Sequence, residues 1–330
     1  MPHPPKILRN NDVVLVSTRV EEGLPFVATD YMSLILFDIL ARAQNLYPVT
    51  ICHFIFSQNH LHLLLMVENP ENLPLFMKYL KQESAHAVNH FLGRRKRTVW
   101  ASGYDSPILL TYDKVLYYIT YIYSNPQDAN LVDKIKDYPG FSSWNMFVQD
   151  KTKHITKRIN RTSIPRLIKK RMSLREQEDL AMHLEKQSIE SLESSLILSP
   201  YAWTKCFPET FEWSLEETKK TILERVQEEE SRLRTRRASE GKKILGAIAL
   251  RLQEFNKPYT PQKHGKRMTC ISSDIPLRKR FLSSVKELLC EAKKVLNLWR
   301  SGDRSVPWPP GLFAPCMPRV ANVIPGCLLA

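Results

Sequence analysis

Two histidines one residue apart, His60 and His62, open the otherwise apolar run "HLHLLLMVE". In a strand, residues two apart share a face. Both imidazoles therefore project from one side, with Leu61, Leu63 and Leu65 on the other. Neutral imidazole suits a divalent metal, but two ligands are too few for a stable site. Taken alone, the pair reads as two hydrogen-bonded, half-buried histidines. A later stretch, "KVLYYITYIYSNP", changes the balance. At about 100° per residue, Val115, Ile119 and Ile122 form one apolar stripe, with Leu116 and Tyr123 beside it. Tyr121 falls off that stripe, and Asn125 lies one turn above it. A phenol and a carboxamide thus share a face that packing does not require. Tyr117 and Tyr118 flank that face, so residue type alone does not select the acting tyrosine; the spacing to Asn125 favours Tyr121.

The elements that must position these groups can be read in order. Residues 12–20 are β-branched and strand-like, and residues 30–46 carry a helical apolar pattern with Asp30 able to cap it. Residues 49–57 and 60–68 form two strands joined by Gln58-Asn59, and residues 73–92 form a second amphipathic helix. A strand within "TVWASGYDSPILLT" precedes the tyrosine helix, which should end at Asn125-Pro126, because proline disfavours helical dihedrals in the residue before it. This order predicts an α+β fold: a ferredoxin-like split β-α-β domain, its antiparallel sheet covered by helices on one face. A boundary near residue 150 separates a 1–150 domain from a basic, mainly helical 151–330 region with a Pro-rich tail from Ser305. Residues 151–172 hold nine Lys or Arg and no acidic residue. Helices are expected from Ser173 and Ser214, each opening with a Ser-x-x-Glu capping box, and over "KKILGAIALRLQEF" and "PLRKRFLSSVKELLCEAKKVLNLW".

Composition narrows the chemistry. In 330 residues there are 48 Lys and Arg against 34 Asp and Glu, a net charge of +14 that suits a polyanionic partner. The six cysteines, at 52, 206, 270, 290, 316 and 327, form no Cys-x-x-Cys pair, which points away from disulfides and zinc and toward a reducing compartment. No two of the ten glycines are two apart, and no GxxxxGK[ST] occurs, which argues against a nucleotide-fuelled enzyme. Neither a signal peptide nor a membrane-spanning run is expected.

The segments "NHLHLLL", "YIYSNPQDANLV" and "YPGFSSW", in this order, resemble the single-tyrosine HUH transposases, especially the REP-associated tyrosine transposase branch with its IS200-like domain. The likeness covers roughly residues 10 to 147. His60-Leu61-His62 stands where that family has its metal-binding motif, and Tyr121 with Asn125-Pro126 where it has its nucleophile. "YLK" of the second helix, Asn89, Trp100 and Tyr104 are further points of likeness. The chain departs from the family in lacking a proline before Asn59, and in reading Gln-Asp-Ala-Asn-Leu after Asn-Pro. What the resemblance implies is attack by Tyr121 on a DNA phosphodiester, leaving a 5′-phosphotyrosine and a free 3′-OH. His60 and His62 would bind Mg²⁺ or Mn²⁺, with Asn125 as a candidate oxygen ligand. The implied partner is single-stranded or hairpin DNA, in a bacterial cytoplasm at the nucleoid. Both monomers and homodimers occur among the relatives. A repeat-processing nuclease and a DNA-binding relic are the alternatives to a mobile-element transposase.

Other residues carry a bland reading beside the functional one. Arg94, Arg95, Lys96 and Arg97 read as a solvated turn or a phosphate contact. Lys157, Arg158, Arg161, Lys169, Lys170 and Arg171 read as a basic linker or a grip on DNA outside the catalytic centre. Trp100 and Tyr104 read as core, or as platforms for unpaired bases. His86 and His90 read as polar positions on a helix, and His53 as core or as support for the site.

Overall fold

The structure is a computed structural model, described here over residues 7–95, 97–260 and 267–315. Chain order runs β1 (Asp12–Arg19), α1 (Asp30–Leu46), β2 (Thr50–Phe56), β3 (His60–Val67), α2 (Asn72–Phe91), β4 (Ile108–Leu109) and α3 (Tyr112–Asp128). Then follow α4 (Trp144–Val148), β5 (Lys153–Arg158), α5 (Leu174–Lys186), β6 (Ile189–Ile197), α6 (Leu215–Ser239), α7 (Ala247–Arg251), β7 (Cys270–Ile271) and α8 (Ile275–Arg300). One five-stranded sheet has the order β2-β3-β1-β4-β7, and β5 pairs with β6 in a separate ribbon. β3 is antiparallel to both neighbours, from Arg19↔His60 to Asp12↔Val67 against β1 and from Phe56↔Leu61 to Thr50↔Met66 against β2. The fold is mixed α and β with an antiparallel-rich sheet and a largely helical C-terminal part.

Helices cover both faces of the sheet, not one. Phe54 and Phe56, opposite Leu63 and Leu61, meet Phe141 and Phe26, and Phe141 in turn meets Phe37 of α1. The alternate positions His53 and His62 meet Tyr123 and Tyr121 of α3. The reason lies in β3, whose residues Leu61, Leu63, Leu64 and Leu65 are all fully buried. A strand apolar on both sides needs cover on both.

Local chemistry explains the other departures. Thr29, not Asp30, caps α1, its hydroxyl accepting from the Met32 N–H at 3.4 Å. α3 runs through Pro126 to Asp128. Proline lacks only one donor there, and the last turn closes by other bonds: Ala129 N–H to Asn125 O at 3.1 Å and Leu131 N–H to Pro126 O at 2.9 Å. Both expected capping boxes form, at Ser173 and Ser214. The basic 151–172 segment is not helical but supplies β5, whose alternating "KHITKR" pairs antiparallel with β6. The helix expected over "KKILGAIALRLQEF" shrinks to Ala247–Arg251, because Gly246 adopts φ +88°. The N–H groups of Leu245 and Gly246 instead donate to the carbonyls of Asn130 and Leu131, both at 2.9 Å.

The buried core runs on past residue 150. Leu196, Leu198, Trp203, Ile222, Phe255, Cys270 and Phe281 belong to the same cluster as Val14, Leu40 and Ile119. Among the described residues no helix is long and apolar enough to cross a membrane.

Candidate active site

β3 and α3 bring the first-noted residues together. The His60 and His62 rings lie 4.9 Å apart, and the His62 ring lies 5.2 Å from that of Tyr121 at 72°. All three line one cleft of about 710 Å³, together with Ser17, Arg19, Glu21, Asn59, Tyr118 and residues 101–105. Tyr118 is the other α3 tyrosine in the cleft, its ring 6.0 Å from that of Tyr121. Tyr117 is exposed beneath Lys114, and Tyr123 is buried elsewhere on the same sheet face. The ambiguity among the tyrosines of α3 thus narrows to Tyr121 and Tyr118.

Each histidine is oriented by a neighbour that the sequence reading passed over. Nδ1 of His60 lies 2.7 Å from Asn59 Oδ1, an atom that only accepts, so Nδ1 donates to it and Nε2 is the ring's other nitrogen for a ligand. Nδ1 of His62 lies 2.7 Å from Ser17 Oγ, directly across the β1–β3 ladder. Nε2 of His62 is buried with no hydrogen-bond partner. Burial, with the His60 charge second, holds the His62 pKa well below the usual imidazole range, so the ring is neutral at pH 7. A neutral ring fixed through Nδ1, with a bare Nε2, is the donor set a divalent cation takes. The pair fits a metal.

Asn125 stands apart from this pair. It is buried, its Oδ1 accepts from Ser57 Oγ at 2.8 Å, and it is not among the residues lining the cleft. It lies one helical turn from Tyr121 on α3, close enough to act on the phenol electrostatically. Burial raises the Tyr121 pKa above the ordinary 10, and the nearby Asn125 carboxamide works against that rise. Among the described residues no group of three or more His, Cys, Asp or Glu converges as a metal site.

On the rim, Lys81 Nζ donates to the carbonyls of Ala101 at 2.8 Å and Gly103 at 2.6 Å, holding the loop that walls the cleft. Burial drops its pKa to about 8. The "YLK" likeness marked this lysine without showing what it holds.

The predicted cations divide into three places. Arg94, Arg95, Arg97 and Arg161 converge with Arg166, His86 and His90 around a second groove of about 1120 Å³. Arg97 pairs with Glu22 at 2.8 Å, and Arg161 pairs with the buried Glu83 through Nε at 3.0 Å. Among the described residues no carboxylate pairs with Arg94, Arg95 or Arg166. Lys157 and Arg158 sit exposed on β5, away from the groove. Lys169 and Lys170 pair with Glu176 at 3.4 Å and Glu254 at 3.9 Å, and Arg171 lines a different depression. Lys96 lies outside the described residues. Trp100 is not a base platform: it is 4% exposed, stacks on Phe26 at 4.8 Å and donates to Ser84 Oγ at 2.9 Å. Its indole needed a buried partner, and Ser84 supplies one. Tyr104 lines the cleft.

Residues 25–124 match the family model described as Transposase IS200 like. That segment is similar to the IS200-like transposases. The match takes in His60, His62 and Tyr121 and stops one residue short of Asn125. No curated protein matches the chain. Among solved structures, a REP-associated tyrosine transposase bound to a REP hairpin shares 15% identity over 45% of this chain and 86% of its own, with a TM-score of 0.40. A crystal structure from Deinococcus radiodurans R1, described as a candidate transposase, shares 19% identity over 36% of this chain and 95% of its own, with a TM-score of 0.25. Overlaps of this depth fix neither topology nor activity.

Proposed function

We propose that the protein is a transposase that nicks and rejoins single-stranded or hairpin DNA through a covalent bond to Tyr121. The observation that carries this reading is the cleft in which Tyr121 packs against His62, with His60 beside it. In the step itself, Tyr121 Oη forms a bond to phosphorus and the bond from phosphorus to the 3′ oxygen breaks. The phenolic proton is lost to solvent, and the leaving oxygen gains one to give a 3′-OH. The phosphotyrosine conserves the bond energy, so the reverse attack by another 3′-OH needs no ATP.

His60 and His62 would hold Mg²⁺ or Mn²⁺ through Nε2. When bound, such an ion supplies charge stabilisation at the scissile phosphate. The chain's own contribution is positional. Ser17 and Asn59 fix the two rings, and Lys81 holds the wall of the cleft. Asn125 is buried outside the cleft lining with its Oδ1 accepting from Ser57, and that oxygen keeps a second lone pair. His62 and Tyr121 come from one chain, which supports action by a single subunit.

The arginine groove supports a nucleic-acid partner, since uncompensated arginines repel one another until a polyanion arrives. The strand order β2-β3-β1-β4 supports a ferredoxin-like arrangement. On this reading residues 1–150 carry the catalytic unit and 151–330 the accessory one. The test is incubation with hairpin-bearing single-stranded DNA and Mn²⁺, then a denaturing gel. A covalent adduct is expected from the wild type and none from Tyr121→Phe; an adduct that persists in Tyr121→Phe sinks the assignment. DNA binding without adduct across a broad hairpin panel would favour a binding-only protein.

A further inference from the structure

Three residues of the cleft wall, Arg267, Met268 and Ile271, lie far outside the segment that matches the transposase family. They reach it because β7 adds in parallel to β4, Ile108 facing Cys270 and Leu109 facing Ile271. Ile108 N–H donates to Thr269 O at 3.1 Å, and Leu110 N–H to Ile271 O at 2.9 Å. The next residues are pinned as well. Ser273 Oγ donates to Asp113 Oδ1 at 2.7 Å at the start of α3, and Asp274 Oδ1 accepts from Leu277 N–H at 2.8 Å as the cap of α8. A two-residue strand on a two-residue strand buries little, yet it fixes where Arg267 stands.

That place is chemically specific. Arg267 Nε lies 2.9 Å from Asp105 Oδ1, each side chain about one-third exposed to the cleft and solvent. The Asp105 backbone exchanges two hydrogen bonds with Ser17, at 2.9 and 2.8 Å, and Ser17 Oγ holds His62. The guanidinium is thus tied through two residues to the ring beside the nucleophile. Arg19 and Arg267 are the arginines of the cleft wall, and Glu21 and Asp105 are its carboxylates. These arginines are the permanently charged donors that the wall offers to a phosphate oxygen. The planar fork of a guanidinium matches a phosphate.

We propose that Arg267, from the C-terminal region, binds a DNA phosphate in the cleft, with Asp105 holding the guanidinium ready before DNA enters. The inference rests on the strand-transfer reading only for what the phosphate is held for. The C-terminal region then completes the cleft instead of serving solely as a remote grip on DNA.

The experiment has two arms on the full chain. In the first, Tyr121→Phe protein with and without Arg267→Gln is titrated with fluorescein-labelled oligo-thymidine over a salt series. The plot of log affinity against log salt should flatten by about 0.7, the loss of one single-strand phosphate contact; Arg267→Lys should restore it. In the second, with Tyr121 intact, Arg267→Gln should slow adduct formation roughly ten- to hundredfold, and Arg267→Lys should recover part of it. Asp105→Asn should keep the salt slope. An unchanged slope in Arg267→Gln overturns the proposal whatever the adducts do. So does an equal fall in slope in Asp105→Asn accompanied by a lowered melting temperature, the mark of a purely structural pair. A wild type that forms no adduct, while the slope still flattens in Arg267→Gln, overturns strand transfer and leaves the phosphate contact standing.

Discussion

Two histidine–tyrosine pairs sit on the same face of the sheet against the same helix. Their rings are almost equally close, 5.4 Å for His53 with Tyr123 and 5.2 Å for His62 with Tyr121. Burial lowers the pKa of both histidines, His53 to about 3. What separates the pairs is hydrogen-bond closure. The carbonyl of Pro200 can only accept, so His53 Nε2 donates to it at 3.1 Å. His53 Nδ1 therefore accepts from the Tyr123 hydroxyl at 2.7 Å, and Tyr123 also meets Ser143 Oγ at 3.0 Å. Every polar atom of that pair is used within the fold. His62 leaves Nε2 without a partner at the edge of a cleft. Burial and a shifted pKa do not mark a site by themselves; an unmet lone pair facing a space does.

The sharpest way to break the comparison is to exchange the loss between the pairs. Tyr121→Phe should abolish adduct formation while changing stability by less than about 1 kcal/mol in urea denaturation. Tyr123→Phe should retain adduct formation and cost about 1–2 kcal/mol, because His53 and Ser143 lose their shared partner. Next in size, His53→Ala should cost about 3 kcal/mol through lost packing and bonds, whereas His62→Ala should chiefly remove activity, read on the same gel. Metal then sharpens the contrast. A cation at a hundredfold excess over its Kd adds about 2.7 kcal/mol, so Mn²⁺ should raise the wild-type melting temperature. The shift should vanish in His60→Ala and His62→Ala and survive in His53→Ala.

A further effect concerns pH. His53 stays neutral in the fold down to about pH 3, while the unfolded chain takes up a proton below about 6.5. The unfolded state therefore binds more protons in that window, and stability should fall as pH drops through it. A urea midpoint that stays flat from pH 6.5 to 4 in the wild type would contradict this; a flatter curve in His53→Gln would support it.

Much of this was legible from residue types, and the gaps have physical causes. The His-x-His strand follows from a fixed periodicity and recurs in the fold; Tyr121 reaches the same cleft, whereas Asn125 is buried against Ser57 outside its lining. Ser17 and Asn59 were missed because a serine or asparagine beside a strand carries no periodic signal; only the β1–β3 register sets Ser17 opposite His62. The basic run at 151–172 was read by composition alone, but its alternation fits the strand that forms there. The short helix at Ala247–Arg251 reflects a backbone bonded to residues 130 and 131, a tertiary demand no local pattern carries. Arg267 was hidden for the same reason, since its place depends on a strand added to β4 from far along the chain.

The closed histidine pair also bears on how the chain is made. Ser199 N–H donates to Ile51 O at 2.8 Å, Pro200 O accepts from His53 Nε2, and fully buried Trp203 joins the core beneath the sheet. During synthesis, β1 to β4 and α3 leave the ribosome well before these residues do. Until they arrive, His53 lacks an acceptor and the apolar face around it lacks its cover. Closure of the N-terminal sheet is thus timed by the chain some fifty residues beyond residue 150, and the edge at β4 waits longer still, for Cys270.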